Sequence, residues 1–220
     1  TGISAGLATD EYENTSGGIN ALDSMSAGNA TDNTAIGYNA LTATTTGDYN
    51  TAVGSYALDA NTTASYNTGV GYDALTDNTT GAQNTGVGYN ALANNTTASF
   101  NIAVGSETLF TNTTGASNVA VGQAALYNNT TASNNVAIGQ SALNANTTGT
   151  DNTAVGYNAL DANTTGITNT ALGKSALGSN STADANVAVG YHALVSNTTG
   201  TQNVAIGAYA LDASTTAGDN

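Results

Sequence analysis

The chain offers few side chains able to do chemistry. It has one histidine, His192, one cation of the Lys/Arg type, Lys174, and no cysteine. His192 stands beside Tyr191 at a place that another copy of the same phrase fills with Asn158. General acid–base catalysis needs a positioned partner group, and no serine is accompanied by the histidine and acid of a nucleophilic triad. His192 is therefore expected to be a solvated surface residue, and the chain not to be an enzyme. No cofactor is implied.

The carboxylates come in two sets. Asp59, Asp161 and Asp212 each follow a leucine, while Asp48, Asp151, Asp184 and Asp219 each lie shortly before an asparagine. Hard cations such as calcium favour carboxylate and carbonyl oxygens. These positions are not acidic in every copy, however, and the Asp-bearing nonapeptide of calcium-binding rolls is absent. The expected role is solubilising charge that discourages clumping. Tyr38, Tyr72, Tyr89, Tyr157 and Tyr191 all follow a glycine. They are expected to cover a corner, the functional alternative being to stack on a glycan. The recurring N-T-T, as at Asn61, Asn78 and Asn146, has the form of a glycosylation sequon. A stacked polar ladder accounts for it without sugar.

Composition narrows the classes further. Charged residues make up 7% of the 220, there is no proline, and the formal net charge is −14. Nucleic acid and anionic membranes are poor partners for such a surface, because phosphate binding needs clustered Lys and Arg. No apolar run approaches the roughly 20 residues of a membrane span. The start, TGISAG, is not a signal peptide. Low complexity and polarity alone would suggest disorder, but a strictly spaced aliphatic residue argues against it.

That spacing organises everything else. NTAVGYNAL at 152–160 returns as NTAIGYNAL at 33–41, NTGVGYDAL at 67–75, NTGVGYNAL at 84–92 and NVAIGAYAL at 203–211. Counted from its asparagine, each unit is 17 residues long from Asn33 onward. The first copy, Asn14 to Asp32, is stretched to 19 and carries Ser16 and Gly17 where later copies have Ala and an aliphatic residue. It reads as a terminal coil. Two regions follow: 1–13, an irregular N-terminal joint or partial coil, and 14–220, the repeat domain.

Position four is aliphatic: Ile36, Val53, Val70, Val87, Val104, Val121, Ile138, Val155, Leu172, Val189 and Ile206. Position nine is leucine: Leu41, Leu58, Leu75, Leu92, Leu109, Leu126, Leu143, Leu160, Leu177, Leu194 and Leu211. These two columns are the expected structural core. Position two is β-branched, so positions two to four suit a short strand. Position five is glycine: Gly37, Gly54, Gly71, Gly88, Gly105, Gly122, Gly139, Gly156, Gly173, Gly190 and Gly207. It marks a corner, and N-T-T-[GA] supplies a second one. Glycine and paired threonines in every unit would weaken a helix. Short strands and turns repeated every 17 residues predict an all-β parallel β-solenoid, or β-roll, whose coils pair about 4.8 Å apart. Position fifteen is Gly or Ala, which points to a demand for small size more than for positive φ. The small residues at positions three and eight, such as Ala120 and Ala125, are expected to form a flat second face. Identical chains packed laterally would satisfy that face, which favours a homotrimer.

The phrase N-[ST]-[AV]-[AV]-G-x-x-A resembles the head repeats of trimeric autotransporter adhesins, whose unit is somewhat shorter. The GYNAL-type unit with an NTTG linker is similar to repeats of phage tail fibres and bacterial fibre proteins. The likeness covers 14–220. It implies a homotrimer of left-handed parallel β-rolls, extracellular or on a cell or virion surface, serving as stalk or adhesive head. Partners would be identical chains and a host or cell-surface glycan. The family's membrane anchor and C-terminal chaperone domain have no counterpart in these residues.

The expected function is therefore a stiff structural or adhesive fibre segment, with a phage tail-fibre shaft as the alternative. Ice-binding and calcium-binding solenoids are more distant ones. Reading from Asn220 into Thr1, Gly2 and Ile3 gives N-T-G-I, which parallels Asn67 to Val70. These four residues are the expected filament joint, where subunits stack head to tail, unless the sequence is an excerpt of a longer fibre.

Overall fold

The computed structural model describes residues 8–9, 13–24 and 30–220. Among the described residues thirteen strands form one sheet in sequence order. After β1 (Ala8–Thr9) and β2 (Thr15–Gly17), three-residue strands recur once per unit from β3 (Thr34–Ile36) to β13 (Val204–Ile206). Neighbours from β2 onward pair in parallel with like positions opposite, for example Val119 with Val136 and Val121 with Ile138. The chain is a parallel β-solenoid of about eleven coils, with no helix among the described residues. β1 departs from this pattern, pairing antiparallel with β2 through Ala8–Ser16 and Thr9–Thr15. The described part of 1–13 is thus an edge strand running against the stack.

Backbone pairing does not stop at the strands. Position nine donates to position eight of the next coil (Leu126 N to Ala142 O, 3.0 Å), and position five donates back to position four of the previous one (Gly122 N to Val104 O, 2.8 Å). Corners as well as strands therefore stack, and each coil templates its neighbour.

The corner at position five demands glycine on two counts. Gly139 has φ of 132°, a region closed to other L-residues. A Cβ there would also lie 2.5 Å from the Gly156 carbonyl oxygen. Position fifteen is governed by clearance alone, since its glycines are not in the positive-φ region. A Cβ on Gly115 would press on the Ala132 carbonyl and come within 2.6 Å of Asn112 Oδ1. No two adjacent coils carry Ala in this column, so each methyl borrows room from a neighbouring glycine.

The interior differs from the sequence expectation in one strand face. The leucines are fully buried from Leu41 to Leu194, as predicted, and only Leu211 in the last coil is 40% exposed. Position four points outward instead. Val53, Val70, Val87, Val104, Val121, Val155, Val189 and Ile36 are only half-buried, and Ile138, Leu172 and Ile206 are exposed. Inside stand the small residues at positions three and eight, among them Ala120 and Ala125, with no exposure at all. They form the inner wall of their own coil, and so are not available as a contact face for another chain.

The reason lies in parity and thickness. A three-residue strand that turns position one inward must turn position three inward too. The wall opposite is close: a Cβ on Gly69 would already sit 3.2 Å from Leu58 Cγ of the preceding coil. A methyl fits in that gap and an isopropyl group does not. Between position four and Leu126 the backbone takes positive φ at Gly122 (127°) and Ala124 (54°), which breaks the alternation a single strand would keep.

Candidate functional site

Asparagine does the polar work inside. At position one, the backbone N–H of each asparagine donates to the side-chain oxygen of the one before (Asn118 N to Asn101 Oδ1, 3.0 Å), and its Nδ2 donates across the coil to position fifteen (Ala132 O, 2.9 Å). At position twelve a second ladder runs amide to amide, as in Asn129 Nδ2 to Asn112 Oδ1 at 2.8 Å. These residues have no solvent exposure. Burying so many amides is tolerable only because each finds partners. Asn61, Asn78 and Asn146 belong to this second ladder, so their amides are committed to the stack and out of reach of a glycan. The ladder ends where Asn197 meets Ser214, leaving Asn197 Oδ1 and Ser214 Oγ buried without a hydrogen-bond partner.

The threonine pair divides its labour. At position thirteen the hydroxyl donates to the backbone of the next coil, as in Thr113 Oγ1 to Thr130 O at 3.0 Å. At position fourteen the residue is threonine in every coil from Thr46 to Thr216 and is exposed in each. The two therefore face differently and give a single outward row of hydroxyls.

The other predicted sites lie outside this interior. Tyr38, Tyr72, Tyr89, Tyr157 and Tyr191 are each about half exposed. Tyr38, Tyr72, Tyr89 and Tyr191 meet aromatic neighbours on the adjoining coils, as in Tyr38 edge-on to Tyr56 at 5.3 Å and Tyr72 stacked with Tyr89 at 5.9 Å. Lys174 lies between two of them, its amine 5.6 Å from the Tyr157 centroid and 5.8 Å from that of Tyr191. His192 packs beside Tyr191 and Tyr209 at 4.1 and 5.7 Å. Asp59, Asp161 and Asp212 are partly buried. Burial raises Asp59 above the ordinary value of 3.8, although Thr76 donates to it at 2.7 Å. Burial likewise raises Asp161, and it raises Asp73 with help from the charges of Asp59 and Asp77. Among the described residues no three His, Asp or Glu side chains gather in a way that could hold a metal ion.

Asn220 occupies position one of a further coil: it accepts from Val204 N at 2.8 Å and donates Nδ2 to Asn203 Oδ1 at 2.9 Å. Thr1, Gly2 and Ile3, the rest of the expected joint, lie outside the described residues.

What remains is the outer face of the sheet. Positions two and four of every coil from Asn33 onward project from it, and all of them are Thr, Val, Ile or Leu. Not one is charged, although the chain carries 15 acidic residues. By residue type alone the aliphatic column of this face has the character of a core. The signal that identifies it is the buried-type asparagine at position one, which fixes the parity of the strand. Comparison with protein-family models, with curated proteins and with solved structures gives no match.

Proposed function

We propose that this chain is a segment of an extracellular fibre, a stiff spacer or stalk on a cell or virion surface, assembled from identical chains. The observation that carries this reading is the unbroken repetition of one coil. From Asn33 to Asp219 the backbone pairing recurs coil after coil, and the buried columns of leucine and position-one asparagine run unbroken to Leu194 and Asn203, with no insertion that would form a pocket. Such a stack resists bending, because bending would open both asparagine ladders as well as the backbone pairing. Its length is set by coil number at about 4.8 Å per coil.

The reading includes lateral association into a trimer and end-to-end stacking into a filament. Any coil presents backbone groups complementary to an identical coil, which supports axial stacking. At the β2 edge a second molecule would pair with β1 or displace it. An adhesive role would fall to the half-exposed tyrosines, whose rings offer an apolar face and a polar tip to a glycan.

Electron microscopy of the purified chain tests the proposal. Straight rods whose length is a multiple of about 50 Å, eleven coil spacings, are expected. Flexible or globular particles would remove it. Binding on a glycan array, lost when Tyr72 and Tyr89 become alanine, is the expected outcome for the adhesive part.

A further inference from the structure

The sheet's outer face has the properties of a surface that another molecule covers. We propose that it packs against the same face of a second copy of this chain, side by side and coil against coil. The inference rests on the fibre reading and names the surface that reading needs.

Three observations select this occupant. The first is charge. The acidic residues of the repeat domain from Asn33 onward stand at positions seven, ten, eleven, sixteen and seventeen, and none stands at two or four. With a net charge of −14 and a single Lys, two copies repel one another over most of their surface. The sheet face is where they can approach without facing like charges. The second is size. A face about 50 Å long and about 10 Å wide offers roughly 500 Å² per chain, or about 1,000 Å² for two, which reaches the lower bound of a specific interface. The third is pitch. The rows Thr85–Val87, Ile102–Val104 and Val119–Val121 repeat at the spacing of the coils. A second copy carries the same spacing and can match it row after row, whereas an irregular protein surface would match a few rows at most. Exposure along the face fits as well: Ile102 is 42% exposed, Ile138 40% and Leu172 47% in the single chain.

The test uses the full chain. Val104, Val121 and Ile138 are replaced together by lysine, and Gln123 and Gln140, exposed outside the sheet face, are replaced by lysine as a control. Sedimentation should place the parent and the control at a multiple of the 21.6 kDa chain mass and the face variant at a smaller mass, one chain where end-to-end contacts are absent, with unchanged circular dichroism. A parent that is monomeric overturns the proposal, as does a lysine variant that sediments like the parent. Because the chain lacks cysteine, Val121→Cys gives a second readout that leaves the coil uncharged. Mild oxidation should join two chains through Val121→Cys and should not do so through Gln123→Cys, and the reverse pattern overturns the assignment. Thermal hysteresis from a monomeric parent would give the face to ordered water and likewise overturn it. Straight rods from the face variant would leave the fibre reading standing whichever way the interface falls.

Discussion

The side-chain amides of Asn118 and Asn129 donate to one acceptor, the carbonyl oxygen of Ala132, at 2.9 and 3.0 Å. The two ladders are thereby tied together inside every such coil: Asn67 and Asn78 meet on Gly81 in the same way. The residue that receives both amides is always Gly or Ala, because a larger side chain would fill the space they need. A carbonyl with two lone pairs is the natural hub for this junction.

Breaking the junction should be costly. Asn129→Ala removes the bonds to Asn112 and Ala132, leaving Asn112 Oδ1 without its donor and Asn146 Nδ2 with Gly149 O alone. Each buried polar group left unmet costs about 1–3 kcal/mol, so a clear drop in denaturation midpoint is expected. An unchanged midpoint would mean that water enters the ladder freely. The complementary change, Ser214→Asn, should give Asn197 Oδ1 a donor and raise the midpoint.

Leucine and valine should respond in opposite ways. Leu126 is fully buried and Val121 is half-buried on the outer face. Leu126→Ala should lose about 2–5 kcal/mol through the cavity it leaves. Val121→Asp should leave the monomeric coil folded and act on assembly instead. Chemical denaturation and sedimentation of the two variants separate these effects, and a collapse of the Val121→Asp chain would refute the outward placement.

Backbone strain predicts a gain. Ala185 is exposed and held at φ of 58°, a conformation that asparagine and glycine accept more readily. Asn134 already occupies the equivalent place three coils earlier, at 62°. Ala185→Asn should stabilise by up to about 1 kcal/mol, read as a higher melting temperature. Gly139→Ala should do the reverse, since strain and collision act together there.

Acid should stabilise this protein. Burial lifts Asp59 and Asp161 above the ordinary 3.8. Between that value and the raised one the folded chain holds more protons than the unfolded chain, so stability falls as pH rises through the window and returns on acidification. Relief of the −14 net charge acts in the same sense. The melting temperature at about pH 4 should exceed that at about pH 7, both far from the tyrosine range. The difference should shrink in Asp59→Asn with Asp161→Asn. A fall on acidification would show that burial of these carboxyls is not the dominant influence.

The 17-residue period, and through it most of the architecture, is legible in the linear order of residues. A glycine, a leucine and two asparagines returning every 17 residues admit a stack of like coils and little else. The buried leucine column, the glycine corner and the asparagine ladders follow from residue type. Which side of each strand faces inward was decided only in three dimensions. Hydrophobicity favoured the bulky Val121 over the small Ala120 for the interior, and the molecule chooses Ala120. Asn118 must turn inward to reach Ala132, fourteen residues away in its own coil, and that contact fixes the parity of the strand. The gap between strand and leucine wall then has room for a methyl alone. Both conditions depend on distances across the coil, which the linear order of residues does not contain.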